Sequence, residues 1–391
     1  MSLRNGAAIE ERSVRPQPAG EFRRAVLSDV AAGRRIASMF GRPLSGAVRI
    51  FALLADDSAG TLEARATDVE KGFPSLTPDC PQAHYFEREI FEQHGILPEG
   101  HPWLKPVRSH AAPYPFFEVA GDEVHEVAVG PVHAGIIDPG HFRLQCHGET
   151  VMNLEIHLGY QHRGVEAALA GGPDKRSALL AECMAGDSTI AHALAYAEVV
   201  EALTGCRVTP RAESIRAIAL ELERLANHVG DLGAMGGDIA FLPTTAWFGR
   251  LRGEFLNLLL TLSGNRLGRG LIRPGGVMFD LDDAMAGEFS GRVAQARTEL
   301  REVAGLFFEM PSVRSRLEGI GTLSREVCDD LGLLGPVARA CGSPRDVRRD
   351  HPSGVWRTNP PAAAAAAGGT GDVLARAQVR WAEIERSLDF L

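Results

Sequence analysis

The hydrophobic period of this chain turns helical throughout after about residue 160, and that change constrains the fold more than any other feature. Before it, apolar residues alternate over short runs at 48–54 and 62–68, either side of the turn-forming DDSAG, and again at 125–129, 141–147 and 151–157. Period-two runs bounded by Gly, Asp and Ser predict strands, and Gly148-Glu149 predicts a tight turn between the last two. After it, apolar residues recur at helical spacing. Ile215, Ile218, Leu222 and Leu225 form one stripe within 211–232, and 176–205, 246–268 and 283–309 supply further helices. Gly205 is placed to end one of these, and Asp372 to start a last helix.

Within the first part, Phe22, Val26, Val30, Ile36 and Phe40 predict a helix over 21–40, and Asp79-Cys80-Pro81 predicts the capped start of another over 81–93. The first twenty residues are polar and uneven and are read as unstructured. The Pro/aromatic stretch PVRSHAAPYPFFEV (106–119) reads as a linker, and PPAAAAAAGG (360–369) as a low-complexity loop. The expected fold class is therefore α+β. A small α+β domain spans 21–108, and a larger, mainly helical domain with an antiparallel β edge spans 125–391.

With 391 residues and 45% hydrophobic content, the chain can bury one large core or two moderate ones. A net charge of −9 argues against a nucleic-acid partner. Arg345, Arg348 and Arg349 stand beside Asp346 and Asp350, a pattern of ion pairing rather than a phosphate track. No run approaches the roughly 20 apolar residues of a spanning helix, and the start carries no basic-then-apolar signal. A cytoplasmic chain is expected, with any membrane association coming through partners. The six cysteines (80, 146, 183, 206, 328 and 341) form no C-x2-C pair, so reduced structural thiols are expected and no metal or cluster bound by this chain alone.

Two sets of motifs carry a family resemblance. YFEREIFEQHGI (85–96) with EGHPWLKPVR (99–108) resembles the 30-kDa-type peripheral subunit of complex I. GPVHAGIIDPGHFRL (130–144), HLGYQHRGVE (157–166), AHALAYAEVVE (191–201), ELERLANHVGDLGAMGGDI (221–239), RPGGV (273–277) and GDVLARAQVR (371–380) resemble the 49-kDa-type partner. The chain thus looks like a fusion of NADH-quinone oxidoreductase subunits C and D. It is similar to the large subunit of group 4 nickel–iron hydrogenases of the formate hydrogenlyase type.

The resemblance has two gaps. Where the hydrogenases place their first Cys-x-x-Cys ahead of an Ala-His pair, this chain has Ala185 and Ser188 ahead of Ala191-His192. A methyl and a hydroxyl do not replace soft thiolates, so nickel is not expected. The second pair lies, in hydrogenases, past the last helix, and no such pair stands here before Leu391. The expectation is a chain cut short relative to both families. The position of the quinone-binding tyrosine of complex I is held by Gly186.

The site residues follow from the match. His133 and His141 close a Gly/Pro loop around Asp138, a set suited to proton transfer near neutral pH. The plainer reading of each histidine is a hydrogen bond to backbone. The resemblance implies a hairpin loop reaching a quinone headgroup, or an acid relaying protons, and assigns catalytic roles to Asp138, His141 and Asp238. Where complex I has its own histidine, Pro139 stands here. His133, His192, Arg224 and Asp346 are assigned to the cavity wall. His192 read alone is a core histidine. Asp238 is either a proton-relaying acid in apolar surroundings, an acid at a helix end, or an acid paired to Arg224. Glu221, Glu223 and Arg224 read as a solvated or interface face. DVRRDHP (346–352) reads as structural pairing.

The implied function is that of a subunit of a membrane-associated, NADH:quinone oxidoreductase-like complex, peripheral on the inner face of the cell membrane. Its expected partners are an iron–sulfur subunit that carries the cluster, membrane-arm subunits, and quinone as substrate. No dinucleotide fingerprint is present, so NAD(P)H would be oxidised elsewhere in the complex. A non-catalytic assembly subunit is the alternative, and an active nickel–iron hydrogenase the weaker one.

Overall fold

The computed structural model describes residues 2–108, 114–133, 139–362 and 369–391. Asp138 and most of the alanine-rich loop lie outside the described residues. The chain divides into two compact units, the first comprising mainly 10–56 and 62–164, the second 3–9, 57–61 and 165–391.

The first unit opens with β1 (Ser2–Leu3) and α1 (Ala19–Ala31), then β2 (Arg35–Pro43), β3 (Val48–Asp56) and β4 (Thr61–Val69), in sheet order β1-β4-β3-β2. The helix expected over 21–40 therefore stops early. Gly33 at φ 92° breaks it, and Ile36 and Phe40 pair across the sheet with Leu54 and Phe51 instead. The first twenty residues are not featureless either, since Glu11–Ser13 form a 3-10 turn and Val14 is buried. Parallel β5 (Gly72–Pro74) and β6 (Leu97–Glu99) flank α2 (His84–His94), whose C-cap Gly95 takes the left-handed φ of 69°. Phe22, Val26, Ile50, Leu54, Phe73 and Ile90 fill the core. Buried Glu87 of α2 is fully used, accepting from Ser75 Oγ, Leu76 N and Thr77 Oγ1 at 2.6 Å each.

The antiparallel sheet β7 (Val124–Val129), β8 (His141–His147) and β9 (Thr150–His157) also belongs to this unit. Its register stacks Val127, Leu144 and Leu154 across one face, and Val129, Phe142 and Ile156 beside them. The polar face is the covered one: Gln145, Glu155 and His157 are buried, while Val127, Val129, Leu154 and Ile156 are exposed. Backbone at Phe117 and Val119 satisfies that polar face, donating to Glu155 Oε2 (2.7 Å) and to Gln145 Oε1 (2.5 Å).

The second unit is helical: α3 (Val165–Leu169), α4 (Ser177–Glu182), α5 (Thr189–Thr204), α6 (Pro210–Asp238) and α7 (Leu242–Ser263), then a small ribbon of β10 (Ile272–Arg273) and β11 (Gly276–Val277). There follow α8 (Asp283–Glu309), α9 (Pro311–Leu317), α10 (Arg325–Asp330), α11 (Gly335–Ala340), α12 (Val347–Asp350) and α13 (Val373–Phe390). The caps are those written in the sequence. Thr209 and Asp372 accept from the first turns of α6 and α13, Pro210 opens α6, and Gly205 closes α5 at φ 68°. α6 is the spine. Leu222, Leu225, Val229 and Leu232 meet Phe248, Leu251 and Phe255 of α7, Leu300 and Phe307 of α8, and Ile384 and Leu388 of α13. The mixed α+β class matches the expectation, whereas the antiparallel sheet expected as an edge of the helical domain over 125–391 lies with the first unit.

Candidate functional site

Two constellations hold the candidate residues that are described. In the first unit, His133 and His141 sit at the two ends of the hairpin loop. His133 Nε2 lies 2.7 Å from the Gly140 carbonyl, and His141 Nδ1 lies 3.4 Å from the Gly130 carbonyl. Each ring thus donates to backbone at the opposite end of the loop, holding its mouth closed. His141 stands across from His157 in the sheet register and against Phe116, with centroids 5.2 Å apart; His133 meets Phe142 edge-on at 5.6 Å. Nε2 of His141 is buried with no hydrogen-bond partner among the described residues. An imidazole held through one nitrogen and left open at the other can donate to, or accept from, a polar ligand atom in an aromatic setting.

In the second unit, Arg224 and Asp346 are brought into one buried ionic network. Glu221, 1% exposed, accepts from Arg348 Nη1 at 2.9 Å and from Ser387 Oγ at 2.6 Å, with Arg224 Nε 3.2 Å away. Arg348 turns its other nitrogens to Asp346 at 2.7 and 3.1 Å. Glu383 of α13 takes Arg339 Nε at 2.5 Å and His228 Nε2 at 2.8 Å, with Arg224 Nη1 3.7 Å off. Three carboxylates face three guanidiniums and one imidazole, so each buried carboxylate has a cationic partner. Burial by itself would raise the Glu383 carboxyl. The hydrogen bond from His228 and the charges of His228, Arg339 and Arg224 outweigh it and hold Glu383 at about 2. Burial likewise opposes the charged form of Asp346, but its bonds to Arg348 keep it below the usual carboxylate range.

The reading of Glu221 and Glu223 as a solvated face is corrected here, since both are buried. Their partners lie far away in sequence. Glu223 accepts from Ile190 N at 2.6 Å and Ala191 N at 3.1 Å, the second and third residues of α5. Ser188, the N-cap residue of α5, makes no side-chain cap bond, so a carboxylate from α6 caps α5 in its place. Desolvation dominates at Glu223 and pushes it up to about 7 despite those two backbone donors. Upstream, Ala185 is extended and Gly186–Ser188 make one 3-10 turn, so His192 is carried in the first turn of the helix that Glu223 caps. His192 is half-buried, and burial lowers its pKa.

Asp238 stands apart. It is the exposed last residue of α6, fourteen positions beyond Arg224, about 21 Å along the axis. Arg224 is occupied by Glu221 and Glu383, so the pairing considered between Arg224 and Asp238 does not form. Sequence reasoning missed Glu383, Arg339 and His228 as network members. The available signal was position: Glu221 and His228 fall at helical spacing with Ile218 and Leu225, on an otherwise apolar stripe.

The donor set at the Ala185–Ser188 turn does not fit nickel. It offers a methyl and a hydroxyl, and among the described residues no group of three or more His, Cys, Asp or Glu side chains is placed to hold a metal ion. No helix among them is long and apolar enough to cross a membrane.

Residues 27–115 match the respiratory-chain NADH dehydrogenase 30 Kd subunit family, and residues 238–391 match the 49 Kd subunit family. The chain belongs to the family that joins complex I 49-kDa-type subunits with the hydrogenase large subunits resembling them. It is 32% identical over 268 residues to the carbon monoxide-induced hydrogenase of Rhodospirillum rubrum, covering 68% of this chain and 74% of that one. It is 32% identical over 350 residues to formate hydrogenlyase subunit 5 of Escherichia coli (strain K12), covering 82% of this chain. With NADH-quinone oxidoreductase subunit 4 of Thermus thermophilus it shares 34% identity over 269 residues, 69% of this chain and 65% of the relative. The chain spans 61% of the length of formate hydrogenlyase subunit 5.

Proposed function

We propose that this chain is a subunit of a membrane-associated, complex I-like oxidoreductase, forming part of the cavity where electrons from a partner iron–sulfur subunit reach a quinone. The observation that carries the reading is His141. Its ring is fixed through Nδ1, lies against Phe116, and keeps a buried Nε2 without a protein partner among the described residues. A quinone headgroup offers a carbonyl acceptor and a flat apolar ring, which suit that imidazole and that aromatic wall. Reduction to the quinol takes two electrons from the partner's cluster and two protons. In this reading His141 donates a hydrogen bond to one carbonyl oxygen and passes a proton as charge builds there, with Asp138 as the acid of the same loop. His133, at the other end of that loop, contributes to the same cavity wall. NAD(P)H is oxidised in another subunit. No nickel is held at Ala185 and Ser188. The chain is peripheral on the inner face of the cell membrane through its partners.

The test is reconstitution of the full chain with its neighbouring gene products and measurement of NADH-to-quinone electron flow. Replacing His141 by Ala lowers that flow by about a hundredfold or more if the imidazole supplies the proton. Unchanged flow in the variant overturns the role of His141, and stoichiometric nickel in the purified complex overturns the assignment of the acceptor.

A second reading, a non-catalytic assembly subunit, is favoured by one observation. Arg224 and Asp346, two of the cavity-wall candidates, are already committed to Glu221, Glu383 and Arg348. A complex that assembles around the chain yet passes no electrons to quinone supports that reading.

A further inference from the structure

Between α6, α7 and the turn ahead of α5 lies a void of about 10 Å³, room for one water molecule, lined by Asp187, Glu223, Asn227 and Arg252 on its polar side and by leucines on the other. Four features set this void apart from a packing flaw. Glu223 is buried, and both its oxygens are held by backbone N–H groups of α5. Arg252 has a buried Nε with no hydrogen-bond partner among the described residues. Asp187, at the mouth, is exposed, with Arg252 Nη2 3.9 Å from its carboxylate. Asn227 fixes the turn by donating to the Asp187 carbonyl at 3.0 Å. A water in such a void finds the two to four polar partners that a buried water needs.

We propose that Glu223 is a proton-exchange site, loaded from solvent through a single water in this void by way of Asp187, and placed to hold a proton at the start of the helix that carries His192. The step balances simply. A proton arriving on the Asp187 carboxylate passes to the water oxygen as the water gives one of its own protons to a Glu223 oxygen, and the reverse sequence unloads it. The charged groups around Glu223 act in opposite directions: Arg224 on its own helix favours the carboxylate, and Asp187 favours the acid. Arg252 of α7 lines the same void. The two backbone donors of α5 and the partial positive charge at that helix end favour the carboxylate as well. Burial outweighs them, which leaves the proton exchangeable near neutral pH. The inference rests on the function proposed above only for what the proton is used for, and its test does not measure electron flow.

The test uses infrared spectroscopy of the full chain with carboxyl-labelled glutamate. A protonated-carboxyl stretch is expected that titrates near pH 7 and is absent in E223Q. If E223Q loses its far-ultraviolet circular dichroism, E223D serves instead, and the midpoint of the band shifts. After a rapid pH jump, relaxation of the band is expected to slow by about tenfold or more in D187N, whose amide does not shuttle a proton. Absence of a titrating band in the unmodified chain between pH 5 and 9 overturns the proposal, and so does relaxation at the same rate in D187N. Loss of quinone reduction with the band intact falls on the acceptor reading alone.

Discussion

Glu383 on the last helix and His228 on α6 meet at 2.8 Å although they stand 155 positions apart in the chain. The same carboxylate takes Arg339 through its other oxygen. Removing its charge leaves Arg339 and its share of Arg224 buried without a counter-ion. E383Q is therefore expected to lower the unfolding free energy by about 3–5 kcal/mol, read from urea titration. A loss under about 1 kcal/mol would mean that water reaches the network.

The same residue sets an acid limb. Its folded value of about 2 lies below the ordinary 4.5. It therefore contributes stability that is complete above pH about 4.5 and is lost as pH falls towards 2, with a size of about 3 kcal/mol. The slope of stability against pH over that window should flatten in E383Q.

Glu223 acts in the opposite sense. Its folded value of about 7 lies above the ordinary 4.5, so its contribution is complete below pH about 4.5 and is lost as pH rises through 7, again by about 3 kcal/mol. Thermal unfolding of E223Q across pH 4.5–7.5 should lack that decline. A decline of the same size in the variant assigns it to another group.

Asp372 caps α13 by accepting from Ala375 N at 2.7 Å and ties the preceding loop by accepting from Gly319 N at 2.8 Å. D372A is expected to cost about 1–2 kcal/mol. Hydrogen exchange should quicken first at Gly319 and in the first turn of α13.

Phe248 is fully buried and meets Phe307 edge-on at 6.1 Å, where α7 crosses α8. F248A should cost about 3–5 kcal/mol by chemical denaturation. Its effect should fall on the helical unit, whose core it fills.

Much of the fold was legible in the sequence because its signals are local. Gly205 marks a helix end by its backbone freedom and Asp372 by its capping carboxylate, and the alternation at 141–147 is a strand whatever surrounds it. The overlong first helix came from an ambiguity of period: Ile36 and Phe40 fit a helical stripe, and only Gly33 and the pairing with β3 show that they belong to a strand. The site was less legible. His133 and His141 could be placed because the loop that joins them is short. Glu221, Glu223 and Glu383 could not, since a carboxylate on a helix reads as solvated until its partners are known. Those partners arrive from Ile190, Arg339, Arg348 and Ser387 through tertiary packing alone.

The span between His228 and Glu383 also bears on synthesis. α6 leaves the ribosome with Glu221, Arg224 and His228 already on its inner stripe, long before Arg339, Arg348 or Glu383 has been translated. Until then its polar side chains must stay hydrated, so α6 cannot settle against its neighbours in final form. The helical unit is thus locked from its far end, and a nascent chain stalled before residue 383 should remain open to proteases along α6.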